Sequence, residues 1–310
     1  MSNLLFLAAS LFVVIKSADL AIKYATYFAH ILRLPKYVVG FLVVAVISIL
    51  PETLIGIDAS LRGVPAFGLG TLFGSNVADL TLVFAIVVFA TVSGIKVGSK
   101  ILEQNRWYPL LLALPIFVGF DGYYSRIEGV LLIAAGLFFF YWTFRENHHH
   151  APSQGEHHHY HYLLNLLYLL LSTGGLIVGS HLTVQYGIAL AESVSLSPIL
   201  IGMLVVGLGT TLPELLFSIR AVRQNRDELA LGDILGTVIS DATIVVGILA
   251  LISPFYFPKE IVYITAAFMV ASALVLFQFM RSGKLLTKKE GVLLVLLYIV
   301  FVAVEYILHG

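Results

Sequence analysis

The sequence predicts an all-α integral membrane protein with ten transmembrane helices in two inverted-topology repeats of five. Three observations predict this fold: an apolar composition, ten apolar stretches of membrane-spanning length, and an internal repeat. Of the 310 residues, 59% are hydrophobic and 12% are charged, whereas soluble domains carry about 25% charged residues. The composition therefore argues against a water-soluble globule.

The ten stretches are interpreted as helices because about 20 apolar residues are needed to cross the hydrocarbon core of a bilayer. The first stretch runs past the short core of a signal peptide and carries Lys16, Asp19 and Lys23, so it is predicted to be a span. The predicted spans are 4–28, 37–60, 66–92, 107–121, 125–144, 161–187, 197–220, 229–253, 260–280 and 289–308.

Basic residues are distributed unequally between the loops on the two sides of the predicted membrane. One side receives thirteen Lys and Arg residues and the other receives three, which are Arg62, Arg126 and Lys259. Because basic loops stay in the cytoplasm, we expect a multi-pass protein of the cell membrane with both termini extracellular.

The internal repeat appears when the sequence is shifted by 162 residues. Residues 40–86 then align with residues 202–248 without a gap, and 17 of the 47 positions are identical. Each half has an odd number of spans, so the second copy enters the membrane from the opposite side, as in many secondary transporters. We predict a first repeat over 1–144, a linker over 145–160 and a second repeat over 161–310.

The linker is rich in histidine, with seven between His148 and His161. It is expected to be cytoplasmic. Imidazole binds zinc, nickel or copper, so a metal-sensing loop is one interpretation, and a solvated linker of biased composition is the other.

Each repeat places a proline and a glutamate in the middle of a span. Ser48-Ile49-Leu50-Pro51-Glu52 aligns with Thr210-Thr211-Leu212-Pro213-Glu214. Proline removes a helix hydrogen bond and so frees a backbone carbonyl, at Ile47 and at Gly209. Hard cations bind such carbonyl oxygens together with carboxylates.

The following span of each repeat carries an aspartate and a hydroxyl group one helical turn apart. Ser75 precedes Asp79 by four residues, and Thr237 precedes Asp241 by four. Gly70 and Gly74, with their counterparts Gly232 and Gly236, are expected to allow close helix approach. Intramembrane carboxylates are costly and usually line ion pathways, and these four segments contain no Lys or Arg. A cation pathway is therefore predicted.

Other polar residues of the spans have weaker implications. Asp19 aligns with His181, and the pair could serve proton coupling or gating. The other interpretation pairs Asp19 with Lys16 or Lys23 on its own helix and makes His181 a satisfied residue of the bundle. Glu305 and Asp121 are expected at the membrane interface.

The alignable motifs resemble those of the calcium/cation antiporter superfamily, most closely its prokaryotic sodium/calcium exchanger branch. The motifs are residues 209–215 (GTTLPEL), 50–53 (LPET) and 74–79 (GSNVAD), and the resemblance covers nearly the whole chain. It implies calcium/sodium exchange by alternating access. The residues that it implicates in metal binding are Glu52 and Glu214 for calcium, the hydroxyl groups of Ser48, Thr210, Thr211, Ser75 and Thr237 for sodium, and Asp79 and Asp241 beside them.

The chain also departs from the family pattern. Ile49 stands where a small hydroxyl residue is usual, Thr71 and Asp233 replace an asparagine, and both Asp79 and Asp241 are acidic where at least one asparagine is usual. Four acids exceed the charge of one calcium ion, so more cations bind together or some acids stay protonated. Proton or potassium coupling therefore stays open, as does export of zinc or manganese; a passive channel is a further alternative.

The resemblance and the residues together define the expected partners. These are calcium, monovalent cations and the lipid bilayer, with no nucleic acid, and the protein is expected to be a monomer. No cofactor is predicted. No His-Glu-x-x-His sequence occurs and no Gly-x-Gly-Asp sequence surrounds Asp79 or Asp241, so an intramembrane protease is not expected and the protein should not be an enzyme.

Overall fold

The computed structural model describes residues 2–31, 49–98, 107–145 and 162–309. These ranges contain ten helices and four two-residue strands. The helices are α1 (Ser2–Ile31), α2 (Leu50–Leu61), α3 (Pro65–Phe89), α4 (Tyr108–Val118), α5 (Arg126–Arg145), α6 (Tyr162–Ser193), α7 (Pro198–Arg223, interrupted at Thr211), α8 (Asp227–Ile252), α9 (Lys259–Arg281) and α10 (Lys288–His309). The strands are β1 (Ile95–Lys96), β2 (Tyr123–Tyr124), β3 (Phe255–Tyr256) and β4 (Leu285–Leu286).

The helix order confirms the predicted fold class. Eight of the described helices are long and apolar enough to span a membrane, and α4 is a shorter apolar helix. The described part of α2 corresponds to the C-terminal half of the predicted span 37–60. The His-rich linker lies outside the described residues.

The repeat is visible in the backbone at the same 162-residue spacing. A helical segment starts at Leu50 in α2, and the segment of α7 after its interruption starts at Leu212. The residues just before these starts adopt nearly the same backbone angles: Ile49 has φ −79° and ψ −4°, and Thr211 has φ −75° and ψ −7°. Proline follows one residue into each helix, where its missing N–H costs no helix hydrogen bond.

A second backbone irregularity is also duplicated. Five-residue segments of α3 and α8 are wound as π-helix, over Asp79–Val83 and Asp241–Val245. A π-turn inserts an extra residue into an α-helix and is frequent at functional sites. The π-turns of α3 and α8 both begin at a predicted site aspartate, whereas a third, over Gly202–Val206 of α7, does not.

The two small sheets join the repeats to each other. β1 pairs antiparallel with β4, and β2 pairs antiparallel with β3. Each sheet therefore takes one strand from each repeat. Because successive spans alternate in direction, the two sheets lie at opposite ends of the bundle.

The hydrophobic core surrounds α3 and α8, the two most deeply buried of the candidate spans. In the described chain, the largest cluster of buried apolar side chains contains no residue of α1 or α6. These two helices contribute instead to two smaller clusters. They pack against each other, with the Thr183 hydroxyl 3.1 Å from that of Ser10. The structure thus consists of an inner core and a peripheral pair, α1 and α6.

Glycines bring α3 and the first half of α7 into close contact, as predicted for Gly70 and Gly74. A Cβ atom at Gly70 would lie 2.5 Å from the Ile199 carbonyl oxygen, and one at Gly207 would lie 2.8 Å from the Ser75 backbone nitrogen. No side chain larger than hydrogen fits at these distances.

The equivalent prediction for Gly232 and Gly236 is not matched by a close approach among the described residues. A Cβ atom at Gly232 would meet no described atom within 4 Å, and one at Gly236 would only reach Phe140 at 4.0 Å. The repeat counterparts of Ile199 and Met203 are residues 37 and 41, which lie outside the described ranges.

Candidate cation-binding site

The two glutamates of the predicted site occupy the same place in the two repeats. Glu52 lies in the first turn of α2, and Glu214 lies in the first turn of the second half of α7. Both side chains are buried, with 1% of the residue surface exposed. Pro213 has no N–H to donate to the Gly209 carbonyl, but a backbone N–H at the end of the preceding helical segment donates to that carbonyl instead, so the predicted free oxygen at Gly209 is not found. Ile47 and Ser48, the corresponding predictions for the first repeat, lie outside the described residues.

The aspartates and hydroxyl groups of α3 and α8 are equally buried. Asp79 is 1% and Asp241 0% exposed, and they begin the two π-turns. The hydroxyl residues have at most 1% of their surface exposed, and they are Ser75, Thr210, Thr211 and Thr237.

The four acids come together from four different helices. Glu52 and Asp79 are close enough to Glu214 for their charges to interact with it, and the same two residues interact with Asp241. Thr210 of α7 lies within hydrogen-bonding reach of the Glu52 carboxyl group of α2. The inverted repeat therefore converts two separate Pro-Glu motifs into one acidic site.

Several oxygen atoms of this site are buried and have no hydrogen-bond partner among the described residues. They are both carboxylate oxygens of Glu214 and of Asp241, Oε2 of Glu52, Oδ1 of Asp79 and Oγ1 of Thr237. A buried carboxylate without a partner costs several kcal/mol. The site therefore requires bound cations or protons to be stable.

Three hydroxyl groups are oriented so that their oxygens are available as ligands. Ser75 donates to the Leu72 carbonyl (2.9 Å), Thr210 to the Gly207 carbonyl (3.1 Å) and Thr211 to the Leu208 carbonyl (2.9 Å). Each hydroxyl has a single proton. With that proton engaged on the backbone, the oxygens of Ser75 and Thr211 offer only lone pairs, as a sodium or calcium ligand must. The Thr210 hydroxyl has two acceptors within reach, the Gly207 carbonyl and the Glu52 carboxyl group.

The acids are distributed through the site rather than gathered at one point. Across the described residues, no group of three or more His, Asp or Glu side chains is arranged to hold a single metal ion. One ion bound here must therefore take some of its ligands from hydroxyl and carbonyl oxygens. Such mixed oxygen sets are typical of hard cations.

Comparison with known proteins identifies the family. The model of the family described as "Sodium/calcium exchanger protein" matches residues 2–145 and 164–307. The chain belongs to the sodium/calcium exchanger family. This membership confirms the resemblance that its motifs indicate.

Similar proteins cover nearly the full length of this exchanger. It is 27% identical to the sodium/calcium exchanger MaX1 of Methanosarcina acetivorans, over 98% of each chain. It is also 27% identical to the inner membrane protein YrbG of Escherichia coli, over 80% of this chain and 79% of YrbG. Its fold is similar to that of the sodium-calcium exchanger NCX_Mj, with a TM-score of 0.68 and 24% identity over 97% of this chain and 98% of that one.

Two residues next to the exchanger's acidic site were not predicted. Tyr108 of α4 is fully buried, donates to the Leu235 carbonyl (3.0 Å) and interacts electrostatically with Asp79 and Asp241. Asp233 of α8 is 7% exposed and is a fifth acid that interacts with Asp79 and Glu214. Asp233 precedes Thr237 by four residues, a spacing that could have placed it on the same helix face.

The predictions for polar residues outside the exchanger's site need correction. Asp19 forms an ion pair with Arg220 of α7 (3.6 Å), a partner on another helix that was not predicted. Lys16 and Lys23 lie over the rings of Phe12 and Tyr24.

His181 has partners but is exposed rather than buried in the bundle, with 56% of its side chain accessible. Glu305 is fully buried, because it lies between the hydroxyl of Thr265 (2.6 Å) and the ring of His309 (3.0 Å). Asp121 is exposed, in the loop before β2.

Proposed function

We infer that this protein is a secondary antiporter that exchanges calcium for sodium by alternating access. The observation that carries this inference is the set of buried, unpartnered carboxylate oxygens contributed by both repeats. Membership of the exchanger family and the inverted-repeat fold support the same conclusion. The chemistry needed is the binding and release of ions, with no covalent step, so the protein is a transporter and not an enzyme.

The ligands of the two ions follow from the donor chemistry of the site. Glu52 and Glu214 bind calcium at the centre, in the first turns of α2 and of the second half of α7. The hydroxyl oxygens of Ser75, Thr210, Thr211 and Thr237 bind sodium, with Asp79 and Asp241 beside them and with Ser48 as the counterpart of Thr210. The hydroxyls of Ser75 and Thr211 already donate to backbone carbonyls, which leaves their oxygens free for a cation.

The net charge of the site explains why the two ions exchange instead of moving alone. The four acids of the repeat give a formal charge of −4 when ionised, and Asp233 beside them is a fifth acid. One calcium ion neutralises only part of this charge, so the calcium-loaded site also retains protons. Two or more sodium ions, or sodium with retained protons, provide similar neutralisation. The empty site leaves its charge unbalanced inside the protein, so it does not reorient easily. Only a site that is occupied by cations becomes accessible from the other face of the membrane, so the two ion flows are coupled.

The peripheral pair α1 and α6 provides the moving part. It lies outside the large buried cluster, so it can slide or rock along the core without disrupting the acids. The distribution of basic residues assigns the loops between α7 and α8 and between α9 and α10 to the cytoplasm. In the cell membrane, with the linker and these loops cytoplasmic, inward sodium flow drives calcium outward.

The test is calcium uptake into proteoliposomes of the purified protein. One sample has an outward sodium gradient and a second has an outward proton gradient, with no gradient in the control. We expect uptake with sodium and little with protons alone. Uptake driven only by the proton gradient would show that protons, and not sodium, are the counter-ion. An absence of uptake with either gradient would contradict calcium exchange.

A further inference from the structure

Two polar contacts connect the peripheral pair to the helices that carry the acids. In the first, the His181 ring nitrogen of α6 lies 2.9 Å from a carboxylate oxygen of Asp58 on α2. Arg62 of α2 braces this contact, because its guanidinium lies 2.7 Å from Asp58 and 2.8 Å from the His181 ring. In the second, Arg220 of α7 lies 3.6 Å from Asp19 of α1.

The two contacts are equivalent under the repeat, but the positions of the acid and the base are exchanged. A shift of 162 residues converts Asp19 into His181 and Asp58 into Arg220. One contact has an acid on the peripheral helix and a base on the core, and the other has a base on the peripheral helix and an acid on the core. The repeat has therefore kept an attractive pair at this position while replacing both partners.

The contacts lie on opposite sides of the acidic site. Asp58 follows Glu52 by six residues and Arg220 follows Glu214 by six, which is about 9 Å of helix in each case. Because the repeats are inverted, these distances extend toward opposite faces of the membrane. Each contact joins the peripheral pair to the core beside one of the two routes to the site.

The two contacts also differ in length. The His181–Asp58 contact is short and has a third partner in Arg62, whereas Asp19–Arg220 is longer and more exposed, with 46% and 65% of the two side chains accessible. In an inverted-repeat transporter, a change of access exchanges the conformations of the two repeats. That exchange would lengthen the first contact and shorten the second.

We propose that His181–Asp58–Arg62 and Asp19–Arg220 are opposing latches that set the balance between the two access states. The first latch stabilises the state described here, and the second stabilises the state with the other face open. The proposal rests on the proposed function for the existence of alternating access. Because a single exposed ion pair shifts an equilibrium by about two- to fivefold, removing one latch should redistribute the states without abolishing exchange.

The test uses the fact that the chain contains no cysteine. Val194, just after α6, and Tyr256, in β3 on the core, are exposed, so V194C/Y256C accepts two spin labels whose distance distribution reports the position of the peripheral pair. The conformation that predominates in the distance distribution of the parent protein should be about two- to fivefold less populated, relative to the minor conformation, in Asp58→Asn. Arg220→Gln should increase the population of that same conformation. Equal populations in all three proteins, or shifts in the same direction, would overturn the proposal.

A control and a rescue separate the latch from a general effect on folding. Glu192→Gln removes an exposed carboxylate near the same end of α6 and should leave the distances unchanged. Asp58→Arg should disturb them, because it sets a cation beside Arg62 and His181. Adding His181→Asp gives the first contact the polarity of the second and should restore the population; no recovery would contradict the proposed role.

Transport provides an independent readout. In proteoliposomes of known orientation, Asp58→Asn and Arg220→Gln should change the half-saturating calcium concentration in opposite directions on a given face. An absence of exchange in the parent protein would contradict the proposed function, while the distance populations would still decide whether the latches act.

Discussion

Glu214 has both carboxylate oxygens buried and without a described hydrogen-bond partner, close to Glu52 and Asp79. Like charges held in such a place destabilise the protein until a cation arrives. The same residue should therefore be essential for transport and unfavourable for stability in the absence of ions. These two consequences can be measured on one variant.

Glu214→Gln should abolish calcium exchange while the protein still folds. Loss of one central carboxylate removes several kcal/mol of cation binding, and each 1.4 kcal/mol is tenfold in affinity, so we expect at least about a 100-fold decrease in uptake. Without calcium, the unfolding temperature should be equal to or above that of the parent, and calcium should no longer raise it. Glu260→Gln makes the same change at an exposed position and should have no effect; retained exchange by Glu214→Gln would contradict the assignment.

Asp79→Asn should make calcium transport less sensitive to pH. Protons compete with calcium for the acids, so the half-saturating calcium concentration should increase as pH falls. Removing one acid removes one site at which protons and calcium compete. A plot of the logarithm of the half-saturating calcium concentration against pH should therefore have a slope closer to zero, by up to about one. The measurement is the calcium dependence of sodium-driven uptake from pH 6 to pH 8. Identical slopes in parent and variant would show that Asp79 does not exchange its proton for calcium.

The residues that sequence reasoning found and those it missed differ in the kind of contact they make. Glu52, Asp79, Glu214 and Asp241 are apparent from the sequence because duplication repeats their spacing. The Asp19–Arg220 pair is not, because its partners come from different repeats and its equivalent has the opposite polarity.

Buried partners outside the repeat pattern were missed for a similar reason. Glu305 lies near a helix end in sequence, yet Thr265 of a neighbouring helix and His309 bury and satisfy it. Tyr108 was also not predicted as a buried residue, because an aromatic residue at the start of a span is usually interfacial. Periodicity reports which face of a helix is apolar, but it does not report which helix covers it.

The helices that carry the acids are held together by direct backbone packing. Gly207 of α7 lies against the backbone of Thr71 and Ser75 in α3, so the hydroxyl of Ser75 and Glu214 of α7 keep a fixed separation. The paired π-turns at Asp79 and Asp241 occur in the helix partners of the two kinked segments. Close packing and local irregularity together place polar groups at the centre of an otherwise apolar bundle.

Gly207→Ala should destabilise the protein and reduce transport. The new Cβ would lie 2.8 Å from the Ser75 nitrogen and 2.9 Å from the Thr71 carbonyl oxygen, both backbone atoms that cannot move aside alone. Overpacking of this kind costs about 1–3 kcal/mol, and thermal unfolding in detergent should shift to lower temperature. Gly174→Ala is the matched control, because a Cβ there would meet no described atom within 4 Å. Equal unfolding temperatures for the two variants would argue against the close approach of α3 and α7.

At the scale of the whole molecule, the inverted repeats make the two faces of the protein nearly equivalent. The pairing of β1 with β4 and of β2 with β3 joins the halves at both ends in the same way. The fold therefore does not determine which face of the protein is cytoplasmic, because the inverted repeats would transport ions equally well in either orientation. It must come from features that break the symmetry, and the thirteen-to-three distribution of Lys and Arg is the strongest of these.

Cysteine labelling in intact cells tests that orientation. Val194, in the loop between α6 and α7, and Gln224, in the loop between α7 and α8, are both exposed, and either substitution to cysteine gives the chain a single thiol. A membrane-impermeant maleimide should label V194C in intact cells and Q224C only after the cells are permeabilised. The cysteine-free parent controls for background. Labelling of Q224C alone in intact cells would place the basic loops outside and contradict the predicted orientation, although an inward sodium gradient would still drive calcium outward, because the ion gradients set the direction of exchange.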